Sequence, residues 1–160
     1  MQFLAGLIHN PVFLSAGGAW LVAQVSKMIY ETARYGFSVK RLTGGGGMPS
    51  SHSATVTGLA VGCLLSEGAD SASFAIAAIL AMVVIYDAMG VRLTAGKEAR
   101  ILNRMRERDL KNGQEPLSDE KLDEKTGHTL PECLAGIAIG IVMGIVMCLV
   151  VAPALAGITF

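Results

Sequence analysis

Four stretches of the chain are predominantly apolar, and polar connections separate them. They cover approximately residues 3–26, 53–65, 72–88 and 134–158. A helix needs about 20 mostly apolar residues to cross a bilayer, and the first and fourth stretches are long enough by themselves. The second and third are shorter and rich in Gly and Ala, which suits close packing between helices. The pattern predicts an all-α, polytopic membrane helical bundle of about four spans.

The longest polar connection covers residues 92–127, between the third and fourth predicted spans. Its first half has apolar residues near one helical face and then Gly113, which predicts a helix that stops there. Its second half is acidic and begins like a short helix, with Ser118 as a candidate N-cap. We therefore expect a charged cytoplasmic helical hairpin, inserted into a single integral membrane domain of residues 1–160. A solvated surface hairpin is the simpler interpretation, and a basic helix on the membrane surface is the alternative.

The composition supports a membrane location. Apolar residues make up 52% of the chain and charged residues only 16%, against about 25% charged residues in an average soluble domain. The three Cys residues lie in or beside apolar stretches, which favours buried thiols over disulfides. No Lys or Arg occurs in the first ten residues, so the basic region of a signal peptide is missing, and the first apolar stretch is expected to remain in the protein.

The basic residues are distributed unevenly. All 13 Lys and Arg residues lie in two connections, residues 27–41 and 92–125, and none lies at 66–70 or near either end. In a four-span bundle both basic connections lie on the same side of the membrane. The positive-inside rule then predicts that these connections are cytoplasmic and that both termini are outside. We expect an integral protein of the bacterial inner membrane.

The same topology collects the unusual polar residues at one membrane interface, at the ends of the predicted spans. Charged residues at span ends are often only anchors, so each candidate has a simpler explanation beside the functional one. The candidates are Lys27 and Arg34 at the first span, Ser50, Ser51 and His52 at the second, Asp87 and Arg92 at the third, and His128 and Glu132 at the fourth.

The segment GGGGMPSSHSA, residues 44–54, has the composition of an anion-binding loop. Glycines allow backbone N–H groups to face a ligand, and the N-terminus of the following helix favours negative charge. Ser50 and Ser51 could cap that helix or donate hydrogen bonds to phosphate oxygens. The simpler alternative is a loop with a serine cap, followed by His52 as an interfacial polar residue.

Three spacings add to this pattern. Lys27 and Arg34 are seven residues apart, which returns to the same face of a continuous helix, although both could be ordinary anchors. Arg92 follows Asp87 by five residues, and the pair could be a structural ion pair. Gly residues recur every fourth position at 136, 140 and 144, which suits tight helix packing.

His128 and Glu132 are four residues apart, so on a helix they share a face. A carboxylate beside an imidazole can fix its tautomer and raise its basicity. Pro131 is compatible with the first turn of such a helix. The simpler alternative is that His128 is only a polar residue at a helix start.

In combination, these motifs resemble the type 2 phosphatidic acid phosphatase superfamily, which includes lipid phosphate phosphatases and vanadium-dependent haloperoxidases. The blocks GGMPSSHSA, YDAMGVR and GHTLPECLAG carry the resemblance, which covers residues 23–144. The chain is most similar to the small divergent bacterial and plastid branch, described as acid phosphatase/vanadium-dependent haloperoxidase-related. The ordered set of motifs is more specific than any one of them.

The resemblance implies a role for each matched residue. In three places the chain departs from the family pattern: Tyr35 replaces a Pro, Ser51 a Gly and Glu132 an Asp. In addition, residues 92–127 separate an Arg and a His that are close in sequence in the wider family, so the ends of this insertion must return close together. The implied roles are phosphate binding by Lys27, Arg34, Ser50, Ser51 and Arg92, general acid catalysis by His52, nucleophilic attack by His128, and orientation of His128 by Glu132.

The activity that the resemblance implies is a metal-independent membrane phosphatase with a phosphohistidine intermediate. Its substrate would be an amphiphilic lipid phosphate, such as phosphatidate or a prenyl phosphate or diphosphate. No metal, cofactor or nucleic-acid partner is expected. The lipid bilayer is the expected surrounding, and a homo-oligomer could complete a bundle that is thinner than in the larger family members. The alternative is a catalytically inactive membrane protein that retains a pocket for an anion or a lipid head group.

Overall fold

The computed structural model describes residues 2–36, 46–116 and 118–156, and all regular structure in these ranges is helical. Within these ranges there are seven α-helices, and a π-helical turn, Met147–Val151, joins the last two of them. The α-helices are α1 (Gln2–His9), α2 (Pro11–Tyr35), α3 (Ser51–Glu67), α4 (Ala72–Met89), α5 (Val91–Lys111), α6 (Leu130–Val146) and α7 (Ala152–Ala156).

The first apolar stretch forms two helices instead of one. The Asn10 side chain accepts hydrogen bonds from the backbone N–H groups of Val12 and Phe13, at 2.9 and 3.0 Å, and so caps the start of α2. Pro11 is the first residue of α2, where its missing N–H has no partner to lose. Because α2 continues to Tyr35, it extends well past the predicted end of the first span.

Helix α3 lies in the middle of the bundle, in contact with α2, α4 and α6. The glycines of α6 that recur every fourth residue face α3, as their spacing predicts. A Cβ atom built on Gly140 would lie 2.6 Å from the Ala54 carbonyl oxygen, and one on Gly136 would overlap the Ser50 carbonyl oxygen. The backbones of α3 and α6 are therefore in direct contact, which only small residues allow.

Three helical segments are long and apolar enough to cross a membrane: Pro11–Tyr35, Ala72–Lys111 and Leu130–Leu155. Helix α3 has 17 residues, and at 1.5 Å per residue it is about 26 Å long. That is shorter than the roughly 30 Å hydrocarbon core of a bilayer. The predicted helical membrane bundle is present, but length and composition identify three spans where the sequence pattern predicted about four.

The inserted segment begins with a helix, as predicted. Helix α5 ends at Lys111, and Gly113 follows with a φ of +71°. The predicted second helix does not form: residues 114–116 and 118–129 contain no helix. The hydroxyl of Ser118 accepts only a local hydrogen bond from the Glu120 N–H, at 3.2 Å.

Residues 118–129, which we call the return arm, run back along α5. Asn103 of α5 donates to the Leu122 carbonyl at 2.9 Å and accepts from the Leu122 N–H at 3.0 Å. Arg106 donates to the carbonyl oxygens of Ser118 and Asp119. The return arm forms no helix, because side chains of α5 satisfy several of its backbone groups and because it lacks the apolar stripe that would stabilise a second helix.

The two ends of the inserted segment lie against each other, as the resemblance requires. Gly127 has a φ of +83°, and a Cβ atom there would lie 2.6 Å from the Arg92 carbonyl carbon and would overlap the Leu93 backbone. The next residue, His128, donates its backbone N–H to the Ala88 carbonyl at 2.9 Å. Only glycine fits at residue 127, and its contacts place His128 beside the end of α4.

Candidate functional site

The predicted site residues lie where four helices meet at one end of the bundle. They are near the C-terminal ends of α2 and α4 and the N-terminal ends of α3 and α6. A backbone hydrogen bond of 3.0 Å from the Ser50 N–H to the Glu132 carbonyl joins the starts of α3 and α6. The sequence predicted this common location, and the structure determines which of the side chains come together.

His128 and Glu132 form the centre of the site. The Nδ1 atom of His128 lies 3.1 Å from Oε2 of Glu132, and the same Oε2 accepts the Thr129 N–H at 3.0 Å. Glu132 therefore closes the capping box at the start of α6 and orients the imidazole at the same time.

The second ring nitrogen of His128 is available for chemistry. The residue is only 2% exposed, and its Nε2 atom makes no hydrogen bond to any part of the chain that the structure describes. If the proton of the neutral ring is on Nδ1 and is donated to Glu132, the lone pair is on Nε2. This is the arrangement that a histidine nucleophile requires.

The pKa of His128 is lowered from the ordinary histidine value. Burial is the largest cause, because it disfavours the charged ring, and the positive charge of Lys27 acts in the same direction. The Glu132 carboxylate and the backbone of Gly47 favour the protonated ring and oppose this shift without reversing it. His128 is therefore neutral at pH 7.

His52, at the second position of α3, is the nearest aromatic neighbour of His128 among the described residues. The two ring centroids are 6.0 Å apart, and the ring planes are inclined by 59°. His128 is buried, whereas His52 is exposed. His52 lines a cavity of about 180 Å³ together with Asp87, Arg92 and three small apolar residues of α4. A molecule in this cavity would contact His52 and Arg92 together.

Arg92 is at the rim of the same cavity and pairs with Asp87. The distance from Arg92 Nε to Asp87 Oδ2 is 2.6 Å, and the Arg92 side chain is 51% exposed. An exposed ion pair contributes about 0–1 kcal/mol to stability. The ion pair of the simpler alternative is thus observed. Because this pair contributes little to stability, Arg92 could leave Asp87 and bind another anion at little cost in free energy.

Lys27 is buried on α2, with only 4% of its surface exposed. Gly47 lies against it: a Cβ atom on Gly47 would be 3.0 Å from Lys27 Cε, and the φ of Gly47 is +106°. Lys27 is close enough to interact electrostatically with both His128 and Glu132. Of the two cations predicted on α2, this one reaches the centre of the site.

Arg34 does not join the histidines. It is exposed, its Nη1 atom donates to the Tyr30 hydroxyl at 3.2 Å, and its Cζ atom lies 5.7 Å from the centre of the Tyr35 ring. Although Lys27 and Arg34 share one face of α2, the later residue lies beyond the part of the helix that is packed against the bundle.

The two serines are buried at the start of α3. Ser50 is its N-cap, and its hydroxyl accepts from the Ser53 N–H at 3.3 Å and from the Ser53 hydroxyl at 3.1 Å. The Ser51 carbonyl accepts from the Thr55 hydroxyl at 2.7 Å. The Ser50 side chain therefore serves the helix cap. The donors that α3 can offer to an anion are the first-turn N–H groups that make no hydrogen bond within the described residues.

Two charged residues near Lys27 were not predicted. Glu31 is buried on α2, and its Oε2 atom lies 3.1 Å from Lys125 Nζ of the return arm. Glu31 follows Lys27 by four residues, a spacing that places both on one helical face and could have indicated it. Lys125 is part of a run of charged residues, and nothing in the sequence distinguishes it from its neighbours.

Within residues 2–36, 46–116 and 118–156, no group of three or more His, Cys, Asp or Glu side chains is placed to hold a metal ion. The site residues that come together are instead two histidines, a carboxylate next to one of them, and the cations Lys27 and Arg92. This donor set suits an oxyanion ligand.

Comparisons with known proteins show the family to which the chain belongs. The uncharacterized membrane protein YuiD of Bacillus subtilis (strain 168) is 37% identical over 145 residues, which covers 81% of this chain and 89% of that relative. No solved structure matches the chain. The profile of the divergent PAP2 family matches residues 8–143. The chain is therefore a membrane protein that belongs to the divergent PAP2 family.

Proposed function

We propose that the protein is a phosphoric monoester hydrolase that removes phosphate from membrane lipids, without a metal ion and through a phosphohistidine. The observation that carries this proposal is the environment of His128. Its Nδ1 atom is 3.1 Å from Glu132, its Nε2 atom is buried and unbonded within the described residues, and the His52 ring is 6.0 Å away.

In the first step, Nε2 of His128 attacks phosphorus, and the bond from phosphorus to the ester oxygen breaks. His52, whose protonated form the negative charge of the bound phosphate favours, gives its proton to the departing alkoxide. The phosphorylated His128 ring carries positive charge, which the Glu132 carboxylate stabilises. In the second step, water attacks phosphorus and loses a proton to His52. The phosphorus–nitrogen bond then breaks, and free His128 and inorganic phosphate result.

The substrate carries about two negative charges at neutral pH, and positive groups must compensate for them. Buried Lys27 and exposed Arg92 are the cations nearest the two histidines. The N-terminus of α3 adds backbone N–H groups and the positive end of its helix dipole. Charge stabilisation and positioning supply most of the rate in phosphoryl transfer.

We also propose the four-span topology. Helix α3 is short, but α2, α4 and α6 surround it, so it could cross the membrane without a long lipid-facing surface. The two basic connections would then be cytoplasmic, with the termini outside and the protein in a bacterial inner membrane. A site at this interface suits a substrate whose phosphate is in water and whose hydrocarbon chains are in the bilayer.

The test is phosphate release by the purified protein in detergent with EDTA. The substrates are phosphatidate, a prenyl phosphate and a prenyl diphosphate, each with and without vanadate. We expect release that vanadate blocks. His128→Ala and His52→Ala should lose this activity, whereas His9→Ala should retain it, because His9 is on α1 and outside the site.

Activity that survives in His128→Ala would contradict the assignment of the nucleophile. Absence of release from every substrate would contradict the phosphatase proposal and favour the alternative, an inactive membrane protein that binds an anion or a lipid head group. The position of Arg34 outside the site is the observation that favours this alternative, because one of the expected phosphate-binding cations is absent from the site.

A further inference from the structure

We propose that Lys125 of the return arm is a phosphate-binding cation of this site, in the role that the family pattern assigned to Arg34. Glu31 is the positioning residue that holds Lys125 next to Lys27. This inference rests on the proposed function for its substrate, a phosphate group. It makes the inserted segment a part of the site, whereas the sequence suggested only a charged connection.

The contact between Glu31 and Lys125 joins two parts of the chain that are far apart in sequence. Lys125 Nζ lies 3.1 Å from Glu31 Oε2, across 94 residues. Glu31 is 5% exposed, and a buried carboxylate is costly in free energy unless cations compensate for it. Both Lys27 and Lys125 interact with it. Lys27 also interacts with Glu132, so the two lysines and the two carboxylates balance each other in charge. The exposed ammonium group of Lys125 is therefore the part of this cluster that can bind an anion.

The glycine-rich segment before α3 connects this cluster to the catalytic residues. A Cβ atom on Gly47 would be 3.0 Å from Glu31 Oε1 as well as from Lys27 Cε. A Cβ atom on Gly46 would be 2.8 Å from the Lys125 carbonyl oxygen. Residues 46–47 are therefore in contact with both the return arm and α2. Lys125 is also only three residues before His128, in the same return arm.

The Lys125 side chain has the freedom to bind a ligand. It is 50% exposed, and its ammonium group has three N–H donors, one of which the Glu31 contact uses. Its Nζ atom lies 5.7 Å from the centre of the Tyr35 ring, as does Arg34 Cζ. The two cations thus approach the same aromatic residue, but Lys125 is the one that also contacts the buried carboxylate beside Lys27.

The experiment measures the dissociation constant of inorganic phosphate by calorimetry, and KM and kcat for the best lipid phosphate. The variants are Lys125→Ala, Lys125→Arg and Glu31→Gln. Lys121→Ala is the matched control, because Lys121 is on the same arm and its side chain is 66% exposed, 4.0 Å from Glu107.

Loss of one charge-assisted hydrogen bond corresponds to roughly a tenfold weaker binding or more. We therefore expect Lys125→Ala and Glu31→Gln to raise both the phosphate dissociation constant and KM by that factor, with a smaller change in kcat. Lys125→Arg keeps the charge and should remain within about threefold of the wild type. Lys121→Ala should be unchanged. If Lys125→Ala does not fold, Lys125→Gln replaces it.

An unchanged phosphate dissociation constant in Lys125→Ala would overturn the inference, as would a larger loss in Arg34→Ala than in Lys125→Ala. Absence of any phosphate binding by the wild-type protein would overturn it too. Binding that depends on Lys125, without hydrolysis of any lipid phosphate, would leave the inference standing and contradict the proposed function. If Lys125→Ala hydrolyses lipid phosphates as the wild type does, the inference is contradicted and the proposed function stands.

Discussion

One oxygen atom of Glu132 serves both the helix and the histidine. Its Oε2 atom is 3.1 Å from His128 Nδ1 and 3.0 Å from the Thr129 backbone nitrogen. The start of α6 and the orientation of the imidazole are therefore set by the same group. A substitution of Glu132 can separate these two roles, since glutamine is also accepted at this position of a capping box.

We predict that Glu132→Gln retains the fold and loses most of the activity. Glutamine can still accept the Thr129 N–H, so the free energy of unfolding should change by less than about 1 kcal/mol. The negative charge that stabilises the His128 ring is lost, and kcat should fall roughly a hundredfold or more. The measurements are kcat and the melting temperature. Glu115→Gln, at an exposed position, is the control. A Glu132→Gln variant with wild-type kcat would contradict this role.

The pH dependence of the activity should reflect the lowered pKa of His128. The nucleophile must be neutral, and burial lowers its pKa from the ordinary value of 6.5. We expect kcat/KM to decrease on acidification with a midpoint below pH 6.5. Glu132→Gln should move this midpoint to still lower pH, because Glu132 favours the protonated ring. An acid limb with its midpoint above pH 7 would show that another group controls the rate.

The same pKa shift affects stability. Because the folded protein binds the His128 proton more weakly than the unfolded chain does, protonation favours unfolding. The stability that neutral His128 contributes is present above pH 6.5 and decreases as the pH falls through the lowered pKa. We expect the melting temperature to fall more steeply below pH 6.5 in the wild type than in His128→Asn, which does not titrate there. Equal slopes would contradict the prediction.

Gly127 should be more sensitive to substitution than Gly113, although both have positive φ angles, +83° and +71°. A Cβ atom on Gly113 has no neighbour within 4 Å, whereas one on Gly127 overlaps the backbone of Leu93. Gly113→Ala should cost about 1–2 kcal/mol from the backbone conformation alone and leave the activity unchanged. Gly127→Ala should cost more and displace His128, so that activity is lost.

The measurements for this pair are chemical denaturation in detergent and phosphate release at saturating substrate. The comparison separates the conformational cost, which both variants share, from the overlap with Leu93, which only Gly127→Ala introduces. Equal losses of stability in the two variants, or full activity in Gly127→Ala, would show that the ends of the inserted segment do not need this close approach.

Asn103 should hold the return arm on α5. It is 3% exposed, makes two hydrogen bonds with the Leu122 backbone, and donates to Glu124 at 2.8 Å. Asn103→Ala would leave the N–H and carbonyl groups of Leu122 without this partner, at about 1–3 kcal/mol, whereas Glu124 would keep its ion pair with Arg100. Asn103→Asp would place a second carboxylate next to Glu124. We expect faster proteolysis between residues 114 and 126 in both variants. Arg104→Ala, on the exposed surface of the same helix, is the control, and equal cleavage rates would contradict the prediction.

Much of the fold could be predicted from local sequence patterns. Apolar stretches of sufficient length form helices in a bilayer, because the backbone has no other hydrogen-bond partners there. The glycines at every fourth position of α6 predicted tight helix packing, and the structure shows that α3 is the partner. The stop at Gly113 was also predicted. The predicted second helix of the hairpin does not form. Asn103 and Arg106, which are many residues away in the sequence, satisfy backbone groups of the return arm instead.

The common location of the site residues also follows from the sequence, since span ends on one side of a membrane must lie near one another. The spacing of His128 and Glu132 predicted a contact on one helical face. The contact is present, but His128 precedes the N-cap Thr129 and lies outside α6, so it forms because Glu132 reaches back over the start of the helix. Such contacts depend only on the conformation of a few consecutive residues. They are the part of the site that a single sequence can determine.

Which cations enter the site is decided only by the tertiary structure. Lys27 and Arg34 look equivalent in the sequence, but packing of α2 buries the first and leaves the second exposed. Lys125 reaches Glu31 because the return arm folds back along α5 and Gly127 closes the insertion against Leu93. The sequence by itself determined a helical membrane bundle with its polar residues at one interface. The contacts between distant segments, which depend on packing and not on local periodicity, decided which of those residues form the site.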